Sequence, residues 1–178
     1  MYLCYATRDG QSRRIAERIA GRLAERGVQA VVRDLAEPGF DPARIGAERL
    51  VVVVAAIRYG RSLPEAEAFL AKFEALGSKP DLVLLSVNLT ARKPGKDTVE
   101  GNAYLRKTIA RHRLAPVLAR AIAGRLDYSR YRWPDRQMIR LIMLMTGGPT
   151  DPVACVEYTD WDVVYSIAGQ IAEMQRGR

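Results

Sequence analysis

The sequence predicts an α/β fold: a parallel sheet covered by helices on both faces. Two observations carry this. Short apolar runs and amphipathic helical stretches alternate along the chain. The strongest run, Leu50 to Ile57, is continuously apolar rather than alternating, so both of its faces must be covered. With 178 residues, 48% of them hydrophobic, the chain has the size and apolar content of one domain, 1–178.

The elements follow in order. Tyr2 to Ala6 is a short apolar strand, and Gly10 punctuates the loop after it. A helix comes next, with Ile15, Ala16, Ile19, Ala20 and Leu23 on one face and Arg14, Arg18, Arg22 and Glu25 on the other. Gly27 stops it. Ala30 to Leu35 is the second strand, and Pro38 to Ala47 reads as a loop with a short helical turn. After the third strand, Pro64 opens a helix whose core face is Ala66, Phe69, Leu70, Phe73 and Leu76. Asp81 to Val87 is the fourth strand, Asn102 to Arg111 a helix, and Val117 to Ala123 the fifth strand. The last element is a helix from Thr159 to Met174, with Thr159 as its cap and Asp160 and Asp162 complementing its dipole.

Composition narrows the chemistry. The formal net charge is +8, which favours anionic partners. Arginine, whose planar fork suits phosphate and carboxylate, far outnumbers lysine. Cys4 lies in a strand and reads as a buried thiol, and no C-x-x-C pair suggests a dithiol centre or a metal site. His112, the only histidine, argues against a histidine triad and reads as a surface residue. The N-terminus reads as a strand and not as a signal peptide. No apolar run approaches the roughly 20 residues that span a bilayer.

In open parallel sheets, ligands collect beyond the C-terminal ends of the strands. The loop after the first strand reads T-R-D-G-Q-S and runs directly into a helix. Two hydroxyls, Thr7 and Ser12, join backbone N–H groups beside Gly10 and a helix N-terminus to make an anion cradle. Arg8 adds charge compensation. The loop lacks the lysine of G-x-x-x-x-G-K-[ST] and two of the three glycines of G-x-G-x-x-G. The third strand ends in Ala55, Ala56 and Ile57, without the aspartate of a phosphoacceptor domain. An ordinary strand-to-helix turn with a polar cap is the bland alternative.

Tyr5 to Ala16, Y-A-T-R-D-G-Q-S-R-R-I-A, resembles the FMN phosphate loop of flavodoxins. A-A-I-R-Y-G (55–60), S-V-N-L-T-A-R-K-P (86–94), R-Y-R-W-P-D-R-Q-M-I-R-L-I-M (130–143) and V-E-Y-T-D-W (156–161) are similar to a narrower family. It is that of the quinone-dependent protoporphyrinogen oxidases, or dehydrogenases, of bacterial haem biosynthesis. The resemblance covers essentially the whole chain and implies a flavodoxin-like five-stranded sheet, order 2-1-3-4-5. It also implies that FMN meets Thr7, Arg8, Asp9, Gly10, Gln11 and Ser12 with its phosphate. The ring would be flanked by Ala56, Ile57, Arg58, Tyr59 and Gly60, and its other edge lined by Ser86, Val87, Asn88, Leu89, Thr90 and Ala91. The chemistry agrees: Tyr59 can stack, Gly60 permits close approach, and Asn88 can donate and accept. Tyr59 as a packing aromatic and Asn88 as a turn residue are the plain alternatives.

Between the fifth strand and the last helix, the segment 124–152 is too long for an ordinary connection. It interleaves Tyr128, Tyr131 and Trp133 with Arg125, Arg130, Arg132, Arg136 and Arg140, then runs apolar from Met138 to Met145 until Gly147, Gly148 and Pro149. Packing into the core, nucleic-acid binding and lying on an anionic membrane through 125–146 compete. The aliphatic content disfavours nucleic acid, and the resemblance favours the membrane. It implies FMN-dependent oxidation of protoporphyrinogen IX with menaquinone or ubiquinone as acceptor, peripherally, at the cytoplasmic face of the bacterial inner membrane. Arg58, Arg130 and Arg132 are candidates to pair with substrate propionates or reduced flavin. A flavodoxin-type electron carrier is the rival reading, and the positive charge opposes it.

Overall fold

The structure, a computed structural model, describes residues 1–38, 40, 45, 48–130, 133–146, 148–151 and 154–177, without the side chains of residues 130, 135 and 146. The first half runs β1 (Tyr2–Ala6), α1 (Gln11–Glu25), β2 (Val31–Asp34), β3 (Leu50–Arg58), β4 (Arg61–Ser62) and α2 (Pro64–Glu74). The second runs β5 (Asp81–Val87), α3 (Ala103–Arg111), β6 (Leu118–Ile122), β7 (Arg125–Asp127), α4 (Trp133–Thr146), β8 (Cys155–Glu157) and α5 (Trp161–Arg176). Most of the loop expected at 38–47 lies outside the described residues.

Five strands are parallel, in the order β2-β1-β3-β5-β6. This is the expected 2-1-3-4-5 when the parallel strands alone are counted. Two features correct the expected strand count. A short β4 folds back antiparallel on the end of β3, pairing Ile57 with Ser62 and Arg58 with Arg61. A separate antiparallel ribbon, β7-β8, pairs Arg125 with Glu157 and Asp127 with Cys155. Strands of two and three residues are too short to show a period, so neither was legible.

The continuous apolar runs behave as a doubly covered sheet requires. Leu50, Val52 and Val54 pack with Leu3, Tyr5, α1 and α5 on one side. Val51, Val53 and Ala55 pack with Cys4, Ala6 and α2 on the other. Alternate residues of one strand point to opposite faces, so every position of β3 up to Ala55 is buried. Cys4 is fully buried, and burial pushes its thiol up to about 12.

Two local expectations change. Thr159 does not cap α5: Asp160 does, its carboxylate accepting from Asp162 N and Val163 N. Thr159 instead donates its hydroxyl to the carbonyl of Ala123. His112 is not a surface residue; its Nε2 lies 2.8 Å from Glu67 Oε2, and only 10% of its side chain is exposed. The expected insertion also extends further, because β8 completes it only at Glu157. It has a small core of its own, in which Leu126, Tyr128 and Met143 are fully buried.

Candidate functional site

The loop between β1 and α1 is built around Gly10, whose φ of 85° lies in the left-handed region that glycine tolerates best. Thr7 Oγ1 accepts from Gly10 N at 3.0 Å, which folds the loop back on itself. No side chain caps α1, so its first N–H groups remain available. Ser12 is 1% exposed and its hydroxyl has no partner among the described residues. A buried hydroxyl without a bond is costly, and an arriving oxyanion would satisfy it.

The charged side chains of this loop are held by neighbours. Arg8 forms a two-pronged pair with Glu65 at the start of α2. Burial works to raise the Glu65 carboxyl, but the Arg8 hydrogen bond helps hold it below its usual value. Asp9 pairs with Arg58 at 3.6 Å. Gln11 turns its amide toward the ribbon, donating to Glu157 Oε1 at 2.9 Å and Thr159 Oγ1 at 2.8 Å. Glu157 also accepts from Arg14. The side chains of Arg8 and Gln11 therefore position the loop, leaving backbone, Thr7 and Ser12 as its donor set.

The second wall follows β3. Tyr59 and Gly60 both have left-handed φ, 51° and 78°, where the chain reverses into β4. Only Gly60 adopts that conformation freely. Tyr59 is 61% exposed, with the Arg58 guanidinium 5.8 Å from its ring centre.

After β5, Asn88 is a turn-builder. Its Oδ1 accepts from Ala91 N and from Asn102 Nδ2, and its Nδ2 donates to Ser86 Oγ. The side chain expected at a ring edge is thus engaged within the protein and buried.

These loops open on one cavity of about 590 Å³, within the roughly 300–1,000 Å³ of small-molecule sites. Thr7, Arg8, Asp9, Gln11, Ser12, Ala56, Ile57, Arg58, Tyr59, Gly60, Val87, Asn88, Leu89 and Thr90 line it. Of the expected residues, Gly10, Ser86 and Ala91 support the lining without joining it. Of the three arginines expected to pair with propionates or reduced flavin, Arg58 lies at the cavity, while Arg132 and the Arg130 side chain fall outside the described residues.

Sequence reasoning missed the far wall: Leu63, Tyr104, Gly124, Arg125, Met138, Ile139, Ile142 and Met143. Four of them come from α4. The methionine-rich apolar run was the available signal, but a run from Met138 to Met145 interrupted only by Arg140 does not announce which side lines a cavity. The cavity joins an end lined by hydroxyls and helix N–H groups to an apolar slot, a division that suits a phosphorylated aromatic ligand.

Comparison with known proteins agrees. Residues 2–152 match the family model described as a flavodoxin domain. The protoporphyrinogen IX dehydrogenase [quinone] of Escherichia coli (strain K12) is 43% identical over 176 residues, covering 97% of this chain and 94% of that one. The protein of the same name from Leishmania major is 35% identical, covering 97% and 74%. Among solved structures, oxidised Flavodoxin 1 from Bacillus cereus aligns at TM-score 0.52 and 16% identity, over 68% of this chain and 82% of that one. The rubredoxin oxygen:oxidoreductase of Desulfovibrio gigas aligns at 0.53 and 13%, over 97% and 35%. The shared sheet and helix order make this a flavodoxin-like fold. The chain belongs to the flavodoxin-domain family of quinone-dependent protoporphyrinogen IX dehydrogenases.

Proposed function

We propose that the cavity holds FMN and that the protein oxidises protoporphyrinogen IX to protoporphyrin IX, passing the electrons to a membrane quinone. The carrying observation is the buried, unpartnered Ser12 hydroxyl beside the uncapped start of α1, which fits a phosphate. Thr7, Ser12 and the first N–H groups of α1 would hold that phosphate, and Gly10 lets the loop curve around it. Ala56 to Gly60 on one side and Val87 to Thr90 on the other would bracket the ring. When bound, the flavin supplies the redox chemistry. The chain's own part is to orient it, to exclude water with the apolar wall of α4, and to present Arg58 to anionic groups.

The reading includes an anionic membrane surface at the cytoplasmic side of the bacterial inner membrane, and the exposed outer face of α4 supports the membrane contact. Trp133, Leu141, Leu144 and Met145 are all more than half exposed, and the chain carries net charge +8. Among the described residues no helix is long and apolar enough to cross a bilayer.

The test follows protoporphyrin fluorescence from protoporphyrinogen with the purified yellow protein, with and without menaquinone or ubiquinone, corrected for autoxidation. Quinone-dependent formation is the expected result. A preparation with flavin bound but no formation above autoxidation would leave an electron carrier as the better reading.

A further inference from the structure

Among the described residues, three arginines line the cavity: Arg8, Arg58 and Arg125. Their commitments differ. Arg8 spends both terminal nitrogens on Glu65, and Arg58 is paired with Asp9. Arg125 opens β7 and directs one nitrogen, Nη2, to Asp127 Oδ2 at 3.0 Å and Cys155 Sγ at 2.9 Å. Its Nε and Nη1 make no bond among the described residues. Asp127 is 6% exposed and also accepts from the Ser129 amide and hydroxyl, so the anchor itself is held.

The ribbon register fixes where this guanidinium stands. Arg125 is directly opposite Glu157, and the Glu157 carboxylate is bonded to Gln11 at the start of α1. Neighbouring Gly124 and Arg125 both border the cavity. A pinned arginine with donors to spare, bordering a cavity beside an anion cradle, is suited to donate to an oxyanion.

We infer that Arg125 is an anion-binding residue of the cavity, donating from a nitrogen other than Nη2 to an oxyanion of a bound ligand. The inference deepens the flavin-enzyme reading and rests on it. Two sources present that chemistry: the phosphate of the flavin and a carboxylate of the porphyrinogen.

Arg125→Gln and Arg125→Lys separate them. Dissociation constants are measured for FMN and for riboflavin with the full-length chain freed of flavin. KM is measured for protoporphyrinogen and for its dimethyl ester with the FMN-loaded protein. If the phosphate is bound, Arg125→Gln weakens FMN by roughly ten- to hundredfold and riboflavin by less than about threefold. If the carboxylate is bound, the same contrast appears in KM between diacid and diester. Arg125→Lys, which keeps a charged donor, shows a smaller loss on the same ligand. Equal losses for charged and neutral ligands, or none, overturn the inference. Should Arg125→Gln fail to fold, the lysine variant carries the same contrast. The wild-type protein in these assays tests the parent reading separately, since it must bind FMN and turn over whatever Arg125 does.

Discussion

Ser12 buries a hydroxyl that has no bond among the described residues, and a bound oxyanion would satisfy it. Ser12→Ala should therefore raise the FMN dissociation constant by about tenfold. The flavin-free protein should be no less stable, with urea unfolding as the check. A weakened apoprotein with unchanged FMN affinity would contradict this. Glu67 supports the opposite face of the sheet. Burial works to raise its carboxyl, but hydrogen bonds from His112 and Arg111, with their charge, hold it below its usual value. A carboxylate lowered in this way stabilises the fold above its unfolded pKa of about 4.3, and the contribution is lost as pH falls through the lower folded value. The stability gap between wild type and Glu67→Gln should be open at pH 7 and closed in acid below that folded value. At this scale the Thr7 to Ser12 loop was legible because its residues are neighbours in sequence. The roles of Gln11, Thr159 and Asn102 were not, because their partners lie 148, 36 and 14 positions away.

The fourth helix faces two environments. Ile139 and the fully buried Met143 look inward, Leu144 and Met145 outward, and Met138 and Ile142 stand at the rim, lining the cavity while remaining about half exposed. A charge on the outer face should act on membrane contact alone. Leu144→Glu is expected to reduce co-sedimentation with anionic vesicles at least severalfold. Its flavin absorbance and thermal unfolding should match the wild type. Unchanged sedimentation would remove α4 from the proposed membrane surface. The long elements were readable from periodicity: β5 runs from Asp81 to Val87 as expected, and α3 begins one residue after its Asn102 cap. The β7-β8 ribbon was hidden because three-residue strands are specified by their partner, not by their own pattern.

Across the whole molecule, the strand order was legible through the family resemblance, while the apolar runs of β3 and β5 required only that both strands be covered on two faces. The cavity's far wall was not, because α4 and β7 reach it from a segment outside that repeating pattern. Gln11 and Arg14 grip Glu157, so the fastening between phosphate loop and ribbon involves the ribbon's last strand and not the helix at its tip. Joining Asp127 to Cys155 through a short turn should consequently give a trimmed chain that stays yellow after gel filtration yet has lost porphyrinogen turnover; a colourless product would refute this. Retaining the pigment and using it would then be separable properties, and the excised stretch could be grafted or exchanged without rebuilding the cradle beneath.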